Sequence, residues 1–515
     1  MKASAVSIAL TAALAAGSAS PVLAAGRPGE AVKHIVLFIG DGMQLEHEIA
    51  ASRYLYGSDT ALSFHKLDYR GNVSTWDVTT YNKYASALRK PAYDPKAIDP
   101  TVGYDVCQGG KAPFPIDGPA ETTGYFIPAL GSPFATDSAS AGTALATGYK
   151  TDDGNIAWLP GDPANGALKT IAELLREQRD YAVGVVSTVP FSHATPAAMV
   201  SHNTSRNNYQ AIAAEILTQI KPEVVIGGGY PGAGGTGTFQ YLSQDTYDAV
   251  KADPEYRVVE REAGVDGALS LLGAAHEAAQ EGKKLFGLFG GPGGNFESPE
   301  PHDLPGTPLV TRATVENPLL KDAVLAALQV LDRDPDGFFL MAEQGDIDWA
   351  NHANDYRRMI GTVWDLHEAV QTVVDYIDRP GDDMTWENTL LLVTSDHANS
   401  YLRLVDPLGA GDLPTQVGYG SCGYGGSACT YPDGDVTYAT TGHTNELVRI
   451  YGAGGRTRGL RDMRLLWLGA KGAWYPGTDI IDNTQLFQIM ATAAGLPQTS
   501  PLKVRLTRPV YCARR

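Results

Sequence analysis

The sequence predicts an α/β fold, a three-layer α/β/α sandwich with a central, mainly parallel sheet. Three observations carry this. Unbroken apolar runs recur along the chain, amphipathic helical stripes separate them, and acidic or imidazole side chains follow several of the runs directly. Unbroken apolar runs mark strands buried on both faces, as in a parallel sheet covered by helices on each side. Polar residues just beyond such strands lie where open α/β sheets place their sites.

HIVLFI (34–39) is the first such run and ends in a Gly-Asp-Gly turn. Residues 168–179 put Leu168, Ile171, Ala172 and Leu175 on one helical face. VGVVSTV (183–189) and VVIGGG (224–229) read as strands, as do FFLMAE (338–343) and TLLLVTSD (389–396). Between the last two, Leu366, Ala369, Val370, Val373, Val374 and Ile377 form a helical stripe. Two long segments fit the alternation poorly. One covers about residues 76–134 and is rich in Tyr, Pro and Gly; the other covers about 400–440, with GYGSCGYGGSAC at its centre. Both are expected to be surface insertions bordering a site. The remainder, 25–515, reads as one elaborated catalytic domain.

Residues 1–24 read as an export signal: Lys2 gives a positive start, Ala5–Ala16 is an apolar run too short for a bilayer, and Val22, Leu23 and Ala24 offer a cleavage site. The mature chain is therefore expected to be periplasmic or secreted. No later apolar stretch reaches membrane-span length, and the C-terminal LTRPVYCARR is polar and basic, so no membrane anchor is expected. Cys107, Cys422, Cys429 and Cys512 allow three pairings; Cys422 with Cys429 is preferred because it closes a small Gly-rich loop. The net charge of −18 disfavours nucleic acid and anionic membranes as partners. It also means that an anionic substrate needs a local positive site, such as bound metal.

Five short stretches carry the chemistry: IGDGM with Asp41, TDSAS with Ser138, AEQGDIDWANH with Glu343, Asp348 and His352, TSDHAN with Asp396 and His397, and TGHTNE with His443. All the named residues but the serine are hard or borderline metal ligands. Carboxylates and imidazoles converging on one serine point to a two-metal site that activates a hydroxyl for hydrolysis. TDSASAGTALATG (136–148) favours a helix with Ser138 near its N-terminus, where free N–H groups attract phosphate; the competing reading is simple N-capping by Asp137 or Ser138. Asp348 and His352, four apart, share one face of a helical turn, as chance pairs also do.

Together these stretches resemble the alkaline phosphatase family over about residues 34–450, in identity, order and spacing. The resemblance implies that Ser138 is the nucleophile that becomes phosphoserine. It implies that Asp348, His352 and His443 hold one zinc, and that Asp41, Asp396 and His397 hold a second, which also binds the serine oxygen. Asp41 matches a ligand shared with a third metal, usually magnesium, whose other protein ligands fall on Glu343 and Thr195. HATPAAMVSHNTSRNNY (193–209) resembles the segment with the substrate-binding arginine, which falls on Arg206, and Asp137 matches the residue that orients it. The implied reaction is hydrolysis of small-molecule phosphate monoesters to inorganic phosphate and an alcohol, commonly by a homodimer. A phosphodiesterase or sulfatase of the same superfamily is the competing reading; the x-Pro-x-Arg that usually follows a sulfatase nucleophile is absent after Ser138. A noncatalytic metal- or phosphate-binding protein is a third.

Two positions depart from the best-known bacterial pattern. His193 stands where that pattern has an aspartate near the magnesium, and favours zinc or cobalt in the third site. Trp349 stands where it has a lysine, so one phosphate-holding charge is missing. Trp349→Lys is expected to strengthen product inhibition by inorganic phosphate and slow its release; an unchanged inhibition constant would remove this position from phosphate holding.

Overall fold

The computed structural model describes residues 31–497 and 502–504, except 105, 107–134, 233–238, 292, 313, 382, 419, 424 and 456–471. The expected export signal, Cys107 and Cys512 lie outside the described residues. Among the described residues, no helix is long and apolar enough to cross a membrane.

Ten strands form the central sheet: β1 (His34–Gly40), β2 (Tyr69–Ser74), β3 (Ala182–Pro190), β4 (Val224–Gly228), β5 (Tyr256–Glu260), β6 (Lys284–Leu288), β7 (Phe338–Gln344), β8 (Thr389–Thr394), β9 (Val448–Gly454) and β10 (Ile480–Asp482). Their order is β10-β2-β9-β8-β1-β7-β3-β4-β6-β5. Only β9 runs antiparallel to its neighbours in this sheet. All five apolar runs singled out above are strands of it. The sequence pattern missed β2, β5, β6, β9 and β10, whose runs are short or broken by Arg, Asn, Gly and Glu.

Side chains alternate across a strand, and β1 shows how this divides the core. Ile35, Leu37 and Ile39 pack into one apolar cluster, with Ala139 and Leu145 of α1 (Ser138–Thr147), Ile171 and Leu175 of α2 (Ile171–Arg179), Met199 of α3 (Ala194–Val200) and Ile212 of α4 (Tyr209–Glu215). Val36 and Phe38 pack into the other, with the helices Leu45–Tyr56, Gly267–Glu281 and Leu320–Leu331 and the long α6 (Tyr356–Ile377). The short helix α5 (Asp346–His352) follows β7 directly. The result is the expected three layers.

The insertions need correction. The described start of the 76–134 segment is not peripheral. It contains a helix (Val78–Ala87), and Trp76, Tyr81, Tyr84, Ile98 and Val102 form a third buried cluster with Trp474, Tyr475 and Ile480. Its Tyr-rich composition, read as a surface signal, is that of an aromatic core. In the 400–440 segment, Leu402–Leu404 pairs with Val436–Tyr438, Arg403 is buried against Glu446, and Cys422 and Cys429 form the expected disulfide.

His202 ties three elements together just after α3. Its Nδ1 lies 2.9 Å from Glu215 of α4, and its Nε2 lies 3.2 Å from Glu173 of α2 and 3.0 Å from the Leu168 carbonyl. Acceptors at both nitrogens require the imidazolium. Burial opposes that charge, but the two glutamates push the pKa up to about 9. A folded-state pKa above the ordinary 6.5 stabilises fully below that value and is lost as pH climbs through about 9. His202→Gln is therefore expected to destabilise by up to about 3 kcal/mol at about pH 6 and much less at about pH 10. Denaturant melts of both proteins at the two pH values check this; a pH-independent difference would contradict it.

Candidate active site

Strand register assembles the first group. β1 and β7 pair with Ile39 beside Glu343, β1 and β8 with Ile39 beside Thr394, and β3 and β7 with Ser187 beside Glu343. Asp41, Glu343 and Asp396 are thereby brought to one end of the sheet. Gly42 makes the turn after β1 with a φ of +65°, and a Cβ there would stand 2.6 Å from Asp348 Oδ1, so glycine serves both the backbone and the close approach. Its N–H donates to Asp396 Oδ1 at 3.2 Å. The Met43 N–H donates to Ser395 Oγ, which in turn donates to the His397 carbonyl, fixing the loop after β8 against the loop after β1.

Ser138 opens α1, whose N-cap Asp137 accepts from the Ser140 N–H at 2.9 Å. His397 Nε2 lies 3.1 Å from Ser138 Oγ, 3.3 Å from Asp41 Oδ1 and 3.4 Å from Asp396 Oδ2. Oxygens of three residues thus lie within 3.4 Å of one imidazole nitrogen. A second group adjoins it. Asp348 Oδ2 is 3.1 Å from His352 Nε2, Asp348 Oδ1 is 3.4 Å from His443 Nε2, and the two Nε2 atoms are 3.1 Å apart. His352 Nδ1 faces the Thr441 carbonyl at 2.6 Å and His443 Nδ1 the Thr136 carbonyl at 2.8 Å. A carbonyl accepts only, so each Nδ1 carries the proton and each Nε2 presents its lone pair inward when the ring is neutral. The His397 and His443 rings stack at 3.7 Å, which joins the groups.

The electrostatics show what this donor set fits. Burial, then Asp396, Asp348 and Glu343, push Asp41 well above the usual carboxylate range. Burial raises Asp396 to about 6 and Glu343 to about 7. Burial also depresses His397 well below its usual value, so its ring is neutral. Asp348 is the exception: burial raises it, but His352 and His443 outweigh that and hold it low. Asp396 Oδ2, Glu343 Oε1 and His397 Nδ1 are buried without a hydrogen-bond partner. Crowded, desolvated carboxylates with orphaned acceptors beside the neutral His397 imidazole fit divalent cations. Glu343 is also hydrogen-bonded by Ser187 and faces Thr195, at the start of α3.

On the other side of Ser138, Arg206 Nη1 donates to Asp137 Oδ2 at 2.9 Å, and the Arg206 N–H donates to the Gly154 carbonyl. Burial raises Asp137, but Arg206 and Ser140 together bring it down to about 2. Ser140 Oγ lies 2.8 Å from Asp137 Oδ1 and 3.1 Å from the buried Asp77 Oδ2, so one hydroxyl serves two carboxylates. His193, two residues before Thr195, stacks on Tyr209 with ring centres 5.7 Å apart and lies 6.1 Å from the Trp349 ring. Sequence reasoning did not single out Asp77, Ser140, Ser187 or Asn399, which donates to Asp348 Oδ1 at 2.6 Å. Ser187 was visible as a polar residue inside the run VGVVSTV, and Asn399 as a neighbour of TSDHAN; Asp77 lay in the segment taken for an insertion.

A mainly parallel sheet between helical layers, with acidic and imidazole side chains gathered beyond its strand ends, defines an α/β protein with a candidate metal site. The alkaline phosphatase family profile matches residues 130–407. Alkaline phosphatase 3 of Bacillus subtilis is 27% identical over 373 residues, which are 71% of this chain and 61% of that protein's own length. The alkaline phosphatase of Escherichia coli K12 is 29% identical over 397 residues, 70% of this chain and 74% of that protein. The crystal structure of Thermus thermophilus alkaline phosphatase superposes with a TM-score of 0.57 at 20% identity, covering 96% of this chain and 98% of that one. This chain belongs to the alkaline phosphatase family.

Ser140→Ala breaks the path from Asp77 to Asp137 and releases one restraint on Arg206. Phosphate affinity, read as the inhibition constant of inorganic phosphate, is expected to fall about five- to tenfold. No change would show that Arg206 is positioned without Ser140.

Proposed function

We propose that this chain hydrolyses phosphate monoesters through a phosphoserine at Ser138, with zinc held by Asp348, His352 and His443 and by Asp41, Asp396 and His397, and a third cation, magnesium or zinc, held by Asp41, Glu343 and Thr195. The observation that carries the reading is the placement of Ser138 Oγ: on a helix N-terminus, 3.1 Å from His397 Nε2, on the helix whose N-cap Asp137 pairs with Arg206. When bound, divalent cations here supply Lewis acidity and neutralise charge on the phosphoryl oxygens.

The chain's own residues do the rest. The planar Arg206 fork, aimed by Asp137, holds two nonbridging phosphate oxygens. The N–H groups opening α1 face the same anion. Ser138 Oγ gives up its proton to solvent and attacks phosphorus, the bond to the alcohol oxygen breaks, and the departing oxygen takes a proton from water and leaves as the alcohol. Water then cleaves the Ser138–phosphorus bond, which returns the hydroxyl and releases inorganic phosphate. Arg206 favours monoesters, because a diester offers fewer charged oxygens to its fork. We further propose that the chain acts after export; the reading of residues 1–24 and the Cys422–Cys429 disulfide, which suits an oxidising compartment, support this.

The test is steady-state turnover of p-nitrophenyl phosphate, bis-p-nitrophenyl phosphate and p-nitrophenyl sulfate by wild type and Ser138→Ala. The monoester is expected to be strongly preferred, with activity removed by a chelator and restored by zinc. Ser138→Ala is expected to lose about a thousandfold or more. A diester or sulfate preference would move the chain to another branch of the superfamily, and metal binding without turnover would make it a binding protein.

A further inference from the structure

Helix α5 presents two faces. Asp348 and His352, four apart, form the one in the metal-ligand group; Asp346 and Trp349, three apart, lie on another. Beside this second face is a cleft of about 420 Å³ lined by Gly291, Gly293, Asn295, Ser298, Trp349 and Arg358, within the size range of small-molecule sites. Asp346 anchors it: its Oδ1 accepts from Asn295 Nδ2 and from Arg358 Nη2, both at 2.8 Å. Arg358 Nε donates to Ser298 Oγ at 2.9 Å.

The lining specifies the occupant. Most polar groups of the wall already have partners: the Asn295 amide and Arg358 bond Asp346, Arg358 bonds Ser298, and Glu297, which also lines the cleft beside Phe296, pairs with Arg261, so that only Asn295 Oδ1 is left without one. This suits an aromatic guest better than a sugar or polyol that needs many new hydrogen bonds. Gly293 has a φ of +97° and open space where a Cβ would stand, so this part of the wall is bare backbone. The Tyr241 hydroxyl donates to the Gly293 carbonyl at 3.2 Å and holds that loop in place. An indole, a planar guanidinium and a glycine wall together offer flat surfaces, to which aromatic rings are complementary. The inner end is set by Trp349, which adjoins Asp348 in sequence and whose ring stands 6.1 Å from that of His193.

We propose that this cleft is the subsite for the leaving alcohol and selects phosphate monoesters of planar aromatic alcohols, with the ring packed against Trp349 and the Arg358 guanidinium. The proposal rests on the phosphomonoesterase reading above. It makes Trp349 a specificity determinant as well as a replacement for a phosphate-holding lysine.

Phenylphosphonate and methylphosphonate test it, because neither loses its organic group and their inhibition constants report binding without leaving-group reactivity. In wild type, phenylphosphonate is expected to bind about tenfold more tightly than methylphosphonate. Trp349→Leu is expected to bring that ratio close to unity, and Trp349→Phe to keep most of it. Inorganic phosphate, measured alongside, reports the phosphate pocket itself. Equal binding of the two phosphonates by wild type, or an unchanged ratio in Trp349→Leu, overturns the proposal; the wild-type comparison decides it even where a variant fails to fold. Hydrolysis and phosphate inhibition without a phenyl preference sinks the cleft alone, whereas absence of both sinks the phosphomonoesterase reading with it.

Discussion

Repulsion among carboxylates that the sheet forces together is the interaction on which the rest of this structure depends. Glu343 lies in β7, and Asp41 and Asp396 follow β1 and β8 within two residues, so the pairing of β1 with β7 and β8 brings all three to one sheet end. Burial removes the water that would screen them, so all three are raised above the usual carboxylate range, Asp396 to about 6 and Glu343 to about 7. Such a cluster is unfavourable for folding unless cations join it, and then the repulsion becomes affinity. The apolar strands below supply the rigidity that makes this possible, because Ile35, Leu37 and Ile39 on one face and Val36 and Phe38 on the other are fully buried.

Arg206 is held by a separate and softer construction. Its loop joins α3 to α4, and it is fixed by polar contacts instead of strand pairing: His202 with two glutamates, the Gly154 carbonyl on the Arg206 N–H, and Asp137 on the guanidinium. The His202 contacts depend on an ionisation that is lost as pH rises through about 9, whereas the register of β1, β7 and β8 does not.

The contrast also explains what was legible in the sequence. The site-bearing strands are buried on both faces, so β1, β7 and β8 stand out as apolar runs, and their ligands follow within two or three residues. His443 carried no such signal; only its pairing across Ala398–Asn399 with His443–Thr444 brings it to Asp348 and His397. Its place was legible through family resemblance, not through local pattern. The outer strands were illegible because β5 and β10 are short and β2 and β9 carry polar residues. The aromatic cluster around Trp76 was misread because its partners Trp474 and Tyr475 lie about 400 residues away in the chain, a separation no periodicity reveals. Asp77 is reached through the same segment, so the path Asp77–Ser140–Asp137–Arg206 was hidden with it.

Charge gives the last constraint. The chain carries a formal net charge of −18, and Arg206 is opposed by Asp137 and by Asp41. A phosphate dianion approaching Ser138 thus meets carboxylates on most sides and one guanidinium whose charge is already shared. Arg206 then orients more than it attracts, and attraction has to come from cations held by the carboxylates themselves. On the proposed function, phosphate affinity and metal content are coupled. Trp349 adds no side-chain charge that would relax the coupling, and on the proposed subsite the organic part of a substrate gains its binding energy from the indole, the Arg358 plane and the glycine backbone beside it.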